Sequence, residues 1–282
     1  MRIGFIGLGL IGGSYAMALR AAPAAKPDFI WAVERDPAVR SDAVSAGVVD
    51  AAFACVGGAP IEQSDLVLLC LHPAACVEML AAVAPRLGPG AILSDVCGIK
   101  KPIAVKAREV FPRGGAGPWF VGGHPMAGKE RGGFENASPA LFQRAHYLLC
   151  PEDAPGLAVE KLQELAKRIG CTDVILTDPD THDANIAYTS QMMHVLALAI
   201  CEQRPFAGSY GFEGNSFRGA TRVAALEADL WAELFWDNRE ALAQVLGELT
   251  GKLDEYRALL TAGDREALAS RLRETSERKK RG

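Results

Sequence analysis

The stretch RIGFIGLGLIGGSYAMALRAA, Arg2–Ala22, decides the fold. A short apolar run, RIGFIG, stops at a glycine, and GSYAMALRAA resumes at helical spacing. Between them lies Gly7-x-Gly9-x-x-Gly12. Gly7 permits a tight turn, Gly9 lets backbone approach a pyrophosphate, and Gly12 lets helix and strand pack closely. Leu10 and Ile11 open the helix, whose N-terminus then faces the phosphates. The next strand, FIWAVE, ends in Glu34, 22 residues after Gly12, where a carboxylate binds the ribose diol of NAD. Arg35 beside it leaves NADP open, since a guanidinium can meet a 2′-phosphate. Glu34 repels that phosphate, so NAD is the expectation.

Working outward, strands and helices alternate. DLVLLCL, AILSDV, WFVGGHP, HYLLCP and DVILTD read as strands, and PAVRSDAVSAG, VEMLAAVAPRL, KPIAVKAREVF and GLAVEKLQELAKRIG as helices. DLVLLCL is apolar without a break, as in a strand buried on both faces of a parallel sheet. The class is α/β, a doubly wound Rossmann-type sheet. After LTDPDTHD the strand signals stop and three long helical stretches follow. The expected division is a dinucleotide-binding domain over 1–178 and an all-helical domain over 179–282, with Pro179 at the break. Apolar faces this rich on about 100 helical residues predict a homodimer through that domain.

The bulk numbers exclude several classes. The 282 residues carry a net charge of −4, and the one basic run is the terminal RETSERKKRG, so no nucleic-acid partner is expected. Seven scattered cysteines without a CxxC spacing argue against a disulfide framework or a zinc site and for a reducing compartment. No A-x-A-like site closes the N-terminal apolar run before Arg20, and the run Ile186–Ile200 is too short to span a bilayer. The expectation is a cytoplasmic protein with no membrane span and no bound metal.

A second stretch, FVGGHPMAGKERGG, Phe120–Gly133, sets one histidine, His124, among glycines. The missing side chains make room against an imidazole, and an imidazole titrating near ~6.5 is a proton acceptor at working pH. GGHPMAGKERGGF resembles the signature of the prephenate/arogenate dehydrogenase family, and four more stretches agree in order: GLGLIGGS, SDVCGIK, YTSQMMHVLALAI, and SFRGATRVA followed by LWAELFWDN. The resemblance implies an NAD-dependent oxidative decarboxylation of prephenate to 4-hydroxyphenylpyruvate. Arogenate as the substrate, or an inactive dinucleotide-binding sensor, are the alternatives.

The resemblance also implies roles. His124 takes the hydroxyl proton. Arg222 clamps a substrate carboxylate, with Arg218 one helical turn earlier sharing or taking that role. His194 and Gln191, three apart and so on one helix face, contact the substrate side chain. Lys129, Glu130 and Arg131 close over the substrate mouth or are simply solvated. Lys100 caps the cofactor loop or faces solvent. Two departures stand out. SDVCGIK holds Gly98, after Cys97, where the family has the serine that supports the histidine. Gln191 stands where the family has a histidine. The first leaves the orientation of His124 to a backbone group, a water or another side chain.

Overall fold

The structure is a computed structural model that describes residues 1–22, 27–111, 116–203, 206 and 208–281. Its sheet has eight strands: β1 (Arg2–Ile6), β2 (Phe29–Val33), β3 (Ala51–Phe53), β4 (Leu66–Leu69), β5 (Ile92–Asp95), β6 (Trp119–Pro125), β7 (His146–Cys150) and β8 (Asp173–Leu176). They lie in the order β3-β2-β1-β4-β5-β6-β7-β8. β1 to β6 run parallel, and β7 turns back antiparallel on β6 with β8 parallel to β7. Strand order reverses between β1 and β4, and at such a switch point a crevice opens beyond the carboxyl ends of the strands. Only β3 was not legible in the sequence. It is a three-residue edge strand inside the short apolar run AAFACV, which carries no alternation to mark it as a strand.

Helices α1 (Leu10–Ala21), α2 (Pro37–Ser45), α3 (Pro73–Val83), α4 (Lys101–Val110) and α5 (Gly156–Arg168) follow the strands. Side chains alternate across each strand and feed two cores. Phe5, Leu68, Tyr15 and Phe142 fill one; Ile6, Leu69, Trp31 and Phe120 fill the other.

Beyond the sheet the described residues are helical: α6 (Pro179–Ile186), α7 (Met192–Cys201), α8 (Asn215–Thr221), α9 (Ala228–Asp237), α10 (Arg239–Ala262) and α11 (Arg265–Arg281). Asp178 caps α6 by accepting from the Thr181 N–H at 2.8 Å, with Pro179 at the first helical position. The stretch from Ala184 that reads as one helix carries a π turn over Ala187–Gln191 between α6 and α7, which rotates everything after it. The long stretch from Ala220 is likewise broken, by the Arg222–Ala224 turn and at the Glu227 cap of α9. Gly263, left-handed at φ 69°, ends α10. Residues 204, 205, 207 and 282 of the expected helical domain lie outside the described residues. Trp236, Leu253, Leu260 and Leu272 are exposed on these helices. No helix among the described residues is long and apolar enough to cross a membrane.

Trp31 shows how tightly the sheet is sealed. It is fully buried, donates its indole N–H to Ser64 Oγ at 2.9 Å and covers Gly4 of the neighbouring strand. A Cβ on Gly4 would run into the indole. Gly4→Ala is therefore expected to destabilise by about 1–3 kcal/mol through overpacking. Thermal unfolding should show Tm lower by several degrees; an unchanged Tm would mean that the indole can yield.

Candidate active site

The cofactor crevice is built by β1 and its turn. Gly7 sits at φ 98°, in the region that favours glycine, and a Cβ there would strike the Cys70 carbonyl. A Cβ on Gly12 would strike the Gly7 carbonyl, so the turn and α1 cannot close around anything larger. Gly9 differs: a Cβ there meets nothing within 4 Å, leaving its outer side open as a cradle for a phosphate group. Leu10 and Ile11 begin α1. Glu34 reaches across from the end of β2 and accepts the Leu8 N–H at 3.0 Å and the Asp36 N–H at 3.1 Å. Lone pairs remain on both oxygens for a ribose diol. Arg35 is exposed, and Arg40 ties the loop by donating to the Glu34 and Arg35 carbonyls. The residues present fit a dinucleotide.

His124 stands at the carboxyl end of β6. Gly123 before it packs against the Asp95 carbonyl, the Tyr147 hydroxyl and Ser94, with no room for a Cβ. His124 Nδ1 is 2.9 Å from His182 Nε2, and His182 Nδ1 is 2.6 Å from Asp183 Oδ1. Asp183 Oδ1 also accepts the Lys100 N–H at 2.8 Å, and Oδ2 the Lys101 N–H at 2.9 Å, at the start of α4. A Cβ on Gly98 would lie 3.9 Å from His124 Nε2 and 3.5 Å from a methyl of Leu234. Burial, with His182 and then Lys100 adding to it, holds the His124 imidazole well below its ordinary range. Another side chain, His182, thus holds the ring at Nδ1, whereas Gly98 lies nearest Nε2. Neither His182 nor Asp183 was singled out in the sequence, because the pair sits in a stretch that reads only as a boundary, LTDPDTHD.

Lys100 departs from both expectations. It is fully buried and ion-paired to the equally buried Asp95, which also accepts the Cys97 N–H at 2.9 Å and the Gly123 N–H at 3.2 Å. Burial works against its charge, but Asp95, with Cys97 and Cys150 adding to it, outweighs that, so the ammonium titrates above its ordinary value. Cys97 is buried with its sulfur 3.4 Å from Cys76 Sγ and 3.3 Å from the Leu71 carbonyl. Its thiol is pushed well up, by the Cys76 contact and by burial, which makes it inert.

The other expected residues scatter. Gln191 is buried with both ends of its amide used: Nε2 donates to the Leu234 carbonyl at 3.0 Å and Oε1 accepts from Asn238 at 2.8 Å. The π turn puts it against α9, where its amide ties helices together. His194 donates from Nδ1 to the Ser190 carbonyl at 3.0 Å and stacks on Trp231, ring centroids 3.6 Å apart. Arg218 is exposed and donates to the Glu213 carbonyl at 3.1 Å. Arg222 is ion-paired to Glu130 of the histidine loop, with 64% and 39% of the two side chains exposed. Lys129 donates to the Asn136 carbonyl at 2.7 Å. No metal-holding cluster occurs among the described residues.

Comparison with known proteins places this geometry. A cyclohexadienyl dehydrogenase of Zymomonas mobilis is 30% identical over 281 residues, covering 97% of this chain and 93% of that one. A prephenate dehydrogenase of Lactococcus lactis is 29% identical, covering 95% of this chain and 73% of its own length. The crystal structure of Synechocystis arogenate dehydrogenase superposes with a TM-score of 0.83 at 26% identity, over 100% of this chain and 99% of that one. The nucleotide-binding domain of prephenate dehydrogenase matches residues 16–176, and the prephenate dehydrogenase dimerization domain matches residues 178–274. With both domains matched in order along nearly its whole length, the chain belongs to the prephenate dehydrogenase family.

Proposed function

We propose that the chain oxidises prephenate to 4-hydroxyphenylpyruvate with NAD, with loss of CO2. The observation that carries this reading is the His124 ring. One nitrogen, Nδ1, is tied back to His182, while the other, Nε2, lies on the Gly98 side, 3.9 Å from where a Cβ on that glycine would stand. NAD supplies the hydride acceptor. Gly7, Gly9 and Gly12 shape its pyrophosphate site, with Leu10 and Ile11 presenting the helix N-terminus, and Glu34 holds its ribose. His124 accepts the carbinol proton, and its depressed titration keeps it unprotonated at neutral pH. Arg222 binds a substrate carboxylate by exchanging Glu130 for it, since a guanidinium can donate to either carboxylate. His194 lines the pocket through its ring face on Trp231. The helical domain carries the homodimer contact.

The direct test is NADH production with prephenate and with arogenate, each with NAD and NADP. Turnover is expected with prephenate and NAD. His124→Asn should retain NAD binding and lose roughly 10²–10⁴ in kcat, the usual share of a general base; kcat within a few-fold of wild type would remove His124 from the chemistry.

Glu34→Ser is expected to narrow the preference for NAD over NADP, because the carboxylate that repels a 2′-phosphate is gone. A wild type that prefers NADP would mean that Arg35 governs this strand end.

Arg222→Ala is expected to raise KM for prephenate about ten- to a hundredfold with little change in kcat, as for a charge-assisted contact made equally in ground and transition states. Arg222→Lys should recover only part. If Arg218→Ala raises KM and Arg222→Ala does not, the clamp lies one turn earlier.

A further inference from the structure

We propose that His182 and Asp183 form with His124 a closed proton relay, which fixes His124 as a base and stores the substrate's hydroxyl proton until the aromatic product takes it back. The proposal rests on the functional reading above.

Hydrogen-bond bookkeeping dictates the tautomers. The Asp183 carboxylate accepts the Lys100 and Lys101 N–H groups, one on each oxygen, where the first turn of α4 favours an anion. Facing an acceptor, His182 Nδ1 must be the donor of the 2.6 Å contact. In the neutral ring Nε2 then holds the lone pair. His124 Nδ1 must therefore donate across the 2.9 Å contact, and His124 Nε2, on the Gly98 side, is left as the basic nitrogen. One carboxylate thus sets the state of two rings.

The same chain moves charge. A proton arriving at His124 Nε2 would leave an imidazolium in a buried site near the Lys100 ammonium, both of which disfavour it. If the Nδ1 proton of His124 passes on to His182 Nε2, the positive charge comes to rest on the ring that touches Asp183. No atom moves further than a hydrogen does.

The reaction asks for storage rather than release. Hydride leaves the carbinol carbon for the nicotinamide as the O–H proton goes to His124 Nε2, giving a ring carbonyl. The bond to the ring carboxylate then breaks as CO2 departs. Its electron pair enters the ring, the carbonyl oxygen becomes a phenolate, and the proton returns to it from Nε2. In sum, prephenate and NAD⁺ give 4-hydroxyphenylpyruvate, CO2 and NADH with no net proton. A path to solvent is unnecessary, and the far end of the relay offers none: His182 is 1% exposed and Asp183 4%. A purely structural role, joining α6 to α4 and Asn238, accounts for Asp183 but not for a ring nitrogen of His182 aimed at His124.

Two variants separate the readings. In Asp183→Asn the neutral amide no longer obliges His182 Nδ1 to donate; with its N–H at the Oδ1 position, which also opposes the Lys100 N–H, the tautomers reverse along the chain and His124 presents Nε2–H instead of a lone pair. His182→Gln leaves the contacts of Asp183 with α4 in place and removes the relay. Single-turnover hydride transfer from prephenate to NAD, in mixtures of H2O and D2O, reads the chemistry. Proton NMR of the free enzyme reads the tautomer without it. Asp183→Asn is expected to slow hydride transfer roughly 10³–10⁴-fold, the scale seen when a buried carboxylate no longer sets a catalytic histidine's tautomer. KM for prephenate and Kd for NAD should stay within about threefold, marking a loss confined to the transition state. The far-downfield N–H resonance of the His182–Asp183 contact should be present in wild type and absent from both variants. The bowed rate dependence on D2O fraction, two protons in flight, should become linear in His182→Gln. Hydride transfer near the wild-type rate in both variants overturns the proposal, as does a downfield resonance that survives in Asp183→Asn. Rises in KM and losses of Tm without a change in rate would reduce the pair to scaffolding. A wild type that oxidises neither prephenate nor arogenate would instead overturn the functional reading and the proton store with it, while the resonance still decides the tautomer chain.

Discussion

The carboxylate of Asp183 makes a buried contact that joins the sheet-bearing half of the molecule to the helices. It projects from α6, the first helix after the sheet, and takes up the Lys100 and Lys101 N–H groups of α4. These are orphan donors at a helix start, which must find acceptors when buried. Its backbone carbonyl accepts from Asn238, which in turn holds Gln191. One residue thus satisfies the beginning of a sheet-packed helix, orients His182 and anchors the hinge between α9 and α10. Satisfied buried networks of this kind specify a single arrangement, because removing any member leaves the others unpaired in a low-dielectric interior. The placement of His124 relative to the helices follows from it.

What the sequence made legible is what local chemistry imposes. Gly7 and Gly12 are required by backbone that comes too close for a Cβ, and such requirements show as spacing. Glu34 is legible because the strand that carries it has a fixed length. The β6 strand is legible as an apolar run ending in glycines, but those glycines suit a plain turn as well, and the reading of its histidine rests on the resemblance of the whole motif. His182 and Asp183 are different. Their importance comes from meeting His124 58 residues earlier and α4 some 82 residues earlier, and no local period records such pairings. A histidine–aspartate doublet in the second turn of a proline-started helix was the available signal, and it is a faint one.

Gln191 and Lys100 show the opposite failure. Each was read by position, Gln191 on a helix face and Lys100 beside a loop, and each is governed by burial instead. A single π turn of five residues, Ala187–Gln191, turns Gln191 into the interior. Nothing in AYTSQ distinguishes that turn from an ordinary one. Lys100 is drawn inside by Asp95, whose remaining acceptor capacity is used by Cys97 and Gly123 at the base of the histidine strand. A buried pair of this kind contributes little net stability after desolvation. Its evident effect is local, a fixed positive charge that helps hold His124 unprotonated.

Contacts that bridge the sheet-bearing half and the helices differ in how easily they give way, and that difference bears on substrate entry. Glu233 of α9 accepts the Ala74 N–H at the start of α3, where helix geometry demands an acceptor. The Asp183 contacts with α4 are buried. The Arg222–Glu130 pair joins two exposed side chains, and such pairs are worth about 0–1 kcal/mol. Glu130 belongs to a loop whose far end is fixed on the cofactor helix, where Ser138 N–H donates to Ser14 Oγ at 2.8 Å and Phe134 packs on Gly13. The loop is thus firm where it meets the dinucleotide site and weakly held where it meets Arg222. A substrate carboxylate that displaces Glu130 gives up little in breaking the pair and disturbs nothing in the buried frame behind His124.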